Sequence, residues 1–105
     1  MIGQEIEDLL HCIDGEIQDA MGYVRRALEY RDRDKENADL YYRLSGEELD
    51  HASRLHSQVV RLMDAAQRNG EDIPAGLPEL YRYLHRQHVD FTAEVVAIQA
   101  MYRGK

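Results

Sequence analysis

The stretch GEELDHASRLHS, residues 46–57, places two ionisable side chains within a pattern that otherwise predicts a buried helix face. Glu48 and His51 lie three residues apart, so in a helix they share one face. Burying a carboxylate and an imidazole costs free energy unless each finds a partner. The pair therefore predicts either a core histidine satisfied by the carboxylate one turn away or a metal site. The apolar side chains that define this face are Leu44, Ala52, Leu55, Val59 and Leu62.

Composition limits the classes of protein to which this chain belongs. The 105 residues fit one domain over 1–105, and the formal net charge is −7. An acidic balance disfavours nucleic acid and anionic membranes as partners and suits metal cations. Cys12 is the only cysteine, which excludes an internal disulfide and a four-cysteine metal cluster; we expect it to be partly buried. No basic leader or long apolar run is present, so we expect a cytoplasmic protein with no membrane contact.

Three amphipathic segments and the absence of any convincing strand pattern predict an all-α fold. The chain is short for three helices, and the resulting core is thin, so we expect self-association into a dimer or larger homo-oligomer. The predicted helices span about 3–30, 37–68 and 78–103.

The boundaries between these helices are marked unequally. The polar run RDRDKEN, residues 31–37, has no apolar residue but also no Gly or Pro, so one continuous helix is an alternative to a turn. Asp34 or Asn37 is the candidate N-cap of the second helix. Asn69-Gly70 is a typical helix end, and Pro78 suits the first turn of the third helix.

An antiparallel hairpin of the first two helices would bring a third ionisable residue to the Glu-x-x-His pair. Glu16 lies at the edge of the first apolar stripe, between Ile13 and Ile17. The midpoint between Glu16 and the pair falls inside the 31–37 run. The three side chains are thus expected at one level, roughly 24 Å from the turn. Carboxylates are hard donors and imidazole accepts borderline metals, so this set suits iron or manganese.

The segments EIQDAMGYVRRAL, residues 16–28, and ADLYYRLSGEELDHASRLH, residues 38–56, resemble the helix pair of ferritins and rubrerythrins. Proteins of this ferritin-like di-iron class hold metal with a Glu from each of two helices and Glu-x-x-His from each of the other two. The resemblance implies that Glu16, Glu48 and His51 are both ligands and catalytic residues. It also implies a ferritin-like antiparallel hairpin plus a third helix.

One chain carries only half of that ligand set. Two copies would restore four Glu and two His, so the four-helix-bundle site would be completed by dimerisation. Encapsulated ferritins resemble this solution, with short chains that build the metal site between subunits. The tail MYRGK does not resemble a shell-targeting peptide, so housing in a shell is not supported.

The leading functional expectation is a ferroxidase that oxidises Fe(II) with dioxygen or peroxide at a di-iron centre, with manganese as an alternative metal. Two other functions stay open. The first is a metal-free helical interaction module in which Glu48 and His51 pair internally. The second is a rubrerythrin-like enzyme that scavenges peroxide with the same metals.

The third helix carries further ionisable residues, His85, His88 and Glu94. His88 faces the apolar stripe and Glu94 lies at its edge, which allows Glu94 to act as an extra carboxylate. We expect these three as solvated or interface residues. His11 and His56 lie away from the centres of their stripes and are expected at the surface or flank.

Overall fold

A computed structural model describes residues 2–104, so Met1 and Lys105, the end residues of the N-terminal segment and of the MYRGK tail, lie outside it. The described residues form three α-helices and no strand, which confirms the predicted all-α class and three-helix content. No helix in this range is both long and apolar enough to cross a membrane. The helices are α1 (Ile2–Tyr30), α2 (Lys35–Arg68) and α3 (Leu77–Tyr102).

The helix ends follow from local chemistry. Asp34 is the N-cap of α2, and its side chain accepts a hydrogen bond from the backbone N–H of Asn37 at 3.1 Å. The alternative of one continuous helix is therefore wrong, and Asp34 is the cap of the two candidates. Gly70 has φ of +67° beyond the end of α2, a conformation that favours glycine. Pro78 lies in the first turn of α3, as predicted.

The α1–α2 hairpin is antiparallel and packs with a seven-residue repeat. Tyr30 stacks on Tyr41 beside the turn, and the Ser45 hydroxyl donates a 2.7 Å hydrogen bond to the Ala20 carbonyl further along. Alternating spacings of three and four are typical of left-handed helix packing. The buried positions of α1 on this repeat are Gly3, Ile6, Leu10, Ile13, Ile17, Ala20, Val24 and Ala27.

α2 contributes small residues to this interface, so the larger side chains of α1 fill the space between the helices. The buried line of α2 runs through Ser45 and Ala52, which differs from the predicted stripe. Glu48 therefore lies beside the buried line and not near the middle of the apolar arc. The buried residues of α2 are Ala38, Ser45, Ala52, Val59 and Ala66.

α3 covers one flank of the hairpin. It packs along α1 and meets α2 through a few side chains: Tyr102 stacks on Tyr42, and Tyr81 hydrogen-bonds His56 at 2.9 Å. At one level Gln99 donates to the Ser45 hydroxyl at 3.0 Å, so one buried network joins all three helices. The molecule is a rod of 56 × 19 × 17 Å. Because α3 lies on one flank of the hairpin, the opposite flank is not covered by any described element.

Candidate metal centre

Glu16 on α1 and Glu48 and His51 on α2 come together across the hairpin. His51 Nδ1 lies 3.1 Å from Glu16 Oε2 and 3.7 Å from Glu48 Oε1. One donor atom from each residue lies within 4.8 Å of the other two. Within residues 2–104 no other set of three histidine, cysteine or acidic side chains is so close. The three residues selected from the sequence are thus neighbours in space.

The helical repeat explains why these side chains meet on the uncovered flank. The side of α2 that faces α3 carries three residues spaced seven apart, Tyr42, Leu49 and His56. Glu48 immediately precedes Leu49. One residue is about 100° around a helix, so Glu48 projects to the other side of the buried line. His51, three residues on, shares that side. The site therefore lies on the flank opposite α3.

Exposure differs among the three side chains. The exposed fraction is 17% for Glu48, 27% for Glu16 and 51% for His51. In a single chain the group lies at the surface of the hairpin, because only two helices contact it. All three side chains are partly open to solvent, and no element of residues 2–104 encloses them.

The proximity of the two carboxylates favours a proton on Glu48 that is shared with Glu16. The hydrogen bond to Glu16 raises the pKa of Glu48 to about 7, with burial and the negative charge of Glu16 acting in the same direction and His51 opposing them. Near neutral pH, Glu48 is thus about equally protonated and ionised. A cation bound between the carboxylates would displace this proton and remove their repulsion.

Half-buried apolar side chains border the site along both helices. Leu9 and Tyr23 lie seven residues either side of Glu16, and Leu44 and Leu55 lie one turn beyond Glu48 and His51. Helical spacing places all four on the flank of the site. We call these four residues the apolar rim. The polar centre is thus surrounded by side chains that favour contact with another apolar surface.

A stack of tyrosines extends from the rim towards the turn and was not expected as a unit. The Tyr41 ring lies 6.1 Å from that of Tyr23 and 5.9 Å from that of Tyr30. Tyr41 packs against the core. The sequence did carry a signal for this stack. Leu9, Glu16, Tyr23 and Tyr30 follow one another at intervals of seven residues, which places them on one side of α1.

Several expectations for other residues need correction. His88 is buried and not solvated, because α3 packs the line of Tyr81, His88, Val95 and Tyr102 against the hairpin. His85 is half-buried and stacks on His56, with ring centroids 4.6 Å apart. Glu94, by contrast, is exposed on α3 as expected, and it lies outside the group. Cys12 is exposed instead of partly buried, since it follows His11 on the outer side of α1.

Comparison with protein-family profiles, with curated proteins and with solved structures gives no match to this chain. The chemistry of the site is argued below from its own residues.

Proposed function

We propose that this protein binds iron and oxidises Fe(II) at a centre formed by Glu16, Glu48 and His51 and completed between two copies of the chain. The convergence of two carboxylates and one imidazole on an uncovered, apolar-rimmed flank carries the proposal. Iron is the substrate of the reaction and manganese is an alternative occupant.

The donor types fit this proposal. Two carboxylates and a neutral imidazole match the mixed hard and borderline preference of iron and manganese. One donor atom of each carboxylate lies within 4.8 Å of the other, a separation that one bound cation would bridge. One chain supplies three ligand residues, and two metal ions need more. A twofold pairing would supply four Glu and two His, the ligand set of ferritin-like four-helix bundles.

The arrangement of the helices leaves room for that pairing. α3 lies on the far flank of the hairpin, so a second hairpin can approach the Glu16 side without displacing it. Leu9, Tyr23, Leu44 and Leu55 would supply apolar contact around the polar centre. Two antiparallel hairpins placed face to face form a four-helix bundle with the ionisable groups inside.

The proposed reaction balances with dioxygen as oxidant. Two Fe(II) ions each lose one electron, and the two electrons with two protons convert one dioxygen to hydrogen peroxide. Glu48 loses its shared proton when iron binds, which supplies an additional negative charge at the site. Anionic ligands stabilise Fe(III) more than Fe(II), so they favour the loss of the electron. The His51 imidazole completes the ligand set while neutral.

A direct test measures iron binding and oxidation in parent protein and in Glu48→Gln and His51→Ala. We expect both variants to lose bound iron and to slow Fe(II) oxidation, with far-UV circular dichroism unchanged. Glu47→Gln is the matched control, because Glu47 is exposed and adjacent on α2. Unchanged iron stoichiometry in both variants would overturn the assignment of the site.

The metal-free alternative has its own supporting observation, since His51 already pairs with Glu16 at 3.1 Å within one chain. Metal analysis of protein grown in iron-supplemented medium separates the two functions. Bound iron that depends on Glu48 supports the metal centre, and iron-free folded protein supports the interaction module. Turnover with hydrogen peroxide beside dioxygen then identifies the oxidant.

A further inference from the structure

His88 is the only histidine buried within residues 2–104, and none of the hydrogen bonds in this range involves its ring. Its side chain is 8% exposed, and its Nε2 lies 3.9 Å from Asp14 Oδ1, beyond hydrogen-bond distance. Fully enclosed side-chain nitrogens in the described range all have partners, so the unpaired His88 nitrogen must be in contact with open space. That open space is where water or another ligand of the ring nitrogen would lie.

His88 borders two spaces, and the one on its Asp14 side is a groove between α1 and α3 of about 380 Å³. Glu7, His11 and Asp14 line its α1 side at spacings of four and three residues, so they share one face of that helix. His88 faces them from α3. Leu10 and Leu84 form apolar walls. Two imidazoles and two carboxylates thus border one groove.

This groove is separate from the centre at Glu16. Asp14 and Glu16 are two residues apart, and about 200° of helical rotation separates their side chains. Asp14 projects towards His88 on α3, whereas Glu16 projects towards His51 on α2. An ion in one site would have no ligand in common with an ion in the other.

The protonation of His88 suits a ligand role. Burial lowers its pKa, the Asp14 carboxylate opposes that shift, and His85 and His56 lower it further. The ring is consequently neutral at pH 7 and has a lone pair available. A cation between the ring and Asp14 would satisfy both groups at once.

From the unpaired buried imidazole and the donors opposite it, we propose that the α1–α3 groove is a second cation site, held by His88, Asp14, His11 and Glu7. Two imidazoles with one or two carboxylates suit a borderline divalent cation of the zinc class. His88 and Asp14 are already adjacent. His11 and Glu7 are exposed and reorient freely, so they close the site when the ion arrives. This site is independent of the iron chemistry proposed above.

The test uses full-length protein carrying Glu48→Gln and His51→Ala, which removes the first site. Zn²⁺ is titrated by calorimetry, and Co²⁺ is titrated as a spectroscopic probe of ligand geometry. We expect one ion per chain, with the intense visible absorption of four-coordinate Co²⁺. Adding His11→Ala or Asp14→Asn should weaken binding at least about tenfold. Both residues lie at the edge of the groove, so neither change removes core packing.

Two controls fix the interpretation. Glu5→Gln on α1 and Asp90→Asn on α3 change exposed residues that do not line this groove, so they should leave Zn²⁺ affinity unchanged. Loss of all Zn²⁺ and Co²⁺ binding in the Glu48→Gln, His51→Ala background, with the protein still helical, would overturn the proposal. Binding there that neither His11→Ala nor Asp14→Asn weakens would overturn it equally.

Discussion

His51 Nδ1 lies 3.1 Å from Glu16 Oε2, although the two residues are 35 positions apart and belong to different helices. The contact links the two helices at the level of the proposed centre. Its position follows from the 31–34 turn, because an antiparallel hairpin pairs residues that are equidistant from its turn. The contact also makes Glu16 the most informative residue to change, since it is the only ligand candidate that α1 supplies to this centre.

Glu16→Gln should slow Fe(II) oxidation more than it weakens iron binding. The substitution keeps the shape of the side chain and removes its charge, so a centre shared by two chains loses two negative charges. Less anionic ligation lowers the preference for Fe(III), and we expect oxidation to slow by at least about tenfold. Stopped-flow absorbance measures the rate.

Glu29→Gln is the control for this measurement. Glu29 is exposed near the end of α1 and outside the site, so its substitution should change neither rate nor affinity. Equal oxidation rates for parent and Glu16→Gln would mean that α1 supplies no ligand.

The stability of the metal-free protein should fall between about pH 5 and pH 8 in a way that depends on Glu48. Its pKa is 4.5 ordinarily and about 7 in the folded protein, so the folded state holds this proton more tightly than the unfolded chain. That stabilisation is complete below the ordinary pKa and is lost as pH rises through about 7. Its size is on the order of 1 kcal/mol after allowance for partial exposure.

Urea denaturation of parent and Glu48→Gln across this range measures the effect. The glutamine has no proton to lose. As pH rises, the free energy of unfolding of the parent should therefore fall relative to that of Glu48→Gln. Burial also lowers the pKa values of His56 and His88, so their protonation at low pH decreases the stability of the folded protein, opposite to the effect of Glu48. Those histidines are the same in both proteins and cancel in the difference. Parallel curves would contradict the shared proton.

Ser45→Ala should destabilise the three-helix junction. The Ser45 hydroxyl donates to the Ala20 carbonyl and accepts from Gln99, all in a buried setting. Alanine suits the seven-residue line of small residues but leaves the Gln99 amide without its partner. An unsatisfied buried donor costs about 1–3 kcal/mol.

Adding Gln99→Leu to Ser45→Ala should recover part of that loss, because the donor is then absent. Thermal unfolding of the single and double variants checks both steps. If the double variant loses as much stability as the two single variants together, Ser45 does not stabilise the protein through this hydrogen bond.

The hairpin and its site could be predicted because their determinants are local in the sequence. The apolar repeat of α1, the polar run at 31–37 and the Glu48–His51 spacing fix two helices and one turn. Level matching then selects Glu16 without any tertiary information. The displacement of Glu48 from the buried line was missed because the stripe prediction did not weigh the small residues Ser45 and Ala38 as core.

The docking of α3 could not be predicted in the same way. Nothing in the sequence states which flank of the hairpin it covers, and the outcome depends on contacts such as Gln99 with Ser45. His88 was expected on the apolar stripe as a solvated or interface residue, and it is buried. The seven-residue spacing of His88 with Val95 and Tyr102 was the signal that favoured burial.

The protein should self-associate through the flank that carries Glu16. That flank presents an apolar rim and a half-complete ligand set, and no described helix covers it. Leu44→Glu places a charge on the rim without touching the buried line of α2, so it should shift the protein to monomer and reduce bound iron. Val89→Glu on α3 is the control, because Val89 is 52% exposed on the opposite flank.

Multi-angle light scattering at micromolar concentration, with and without added Fe(II) under anaerobic conditions, reports the mass of each protein. We expect parent and Val89→Glu to be dimeric or larger and Leu44→Glu to be smaller while still helical. Added metal should favour the assembly, since ions that bind both chains stabilise their contact by mass action. A parent protein that remains monomeric with iron bound would rule out the shared centre. An assembly that Val89→Glu disrupts and Leu44→Glu does not would move the contact to the α3 flank, and Glu16, Glu48 and His51 would then have to act within a single chain.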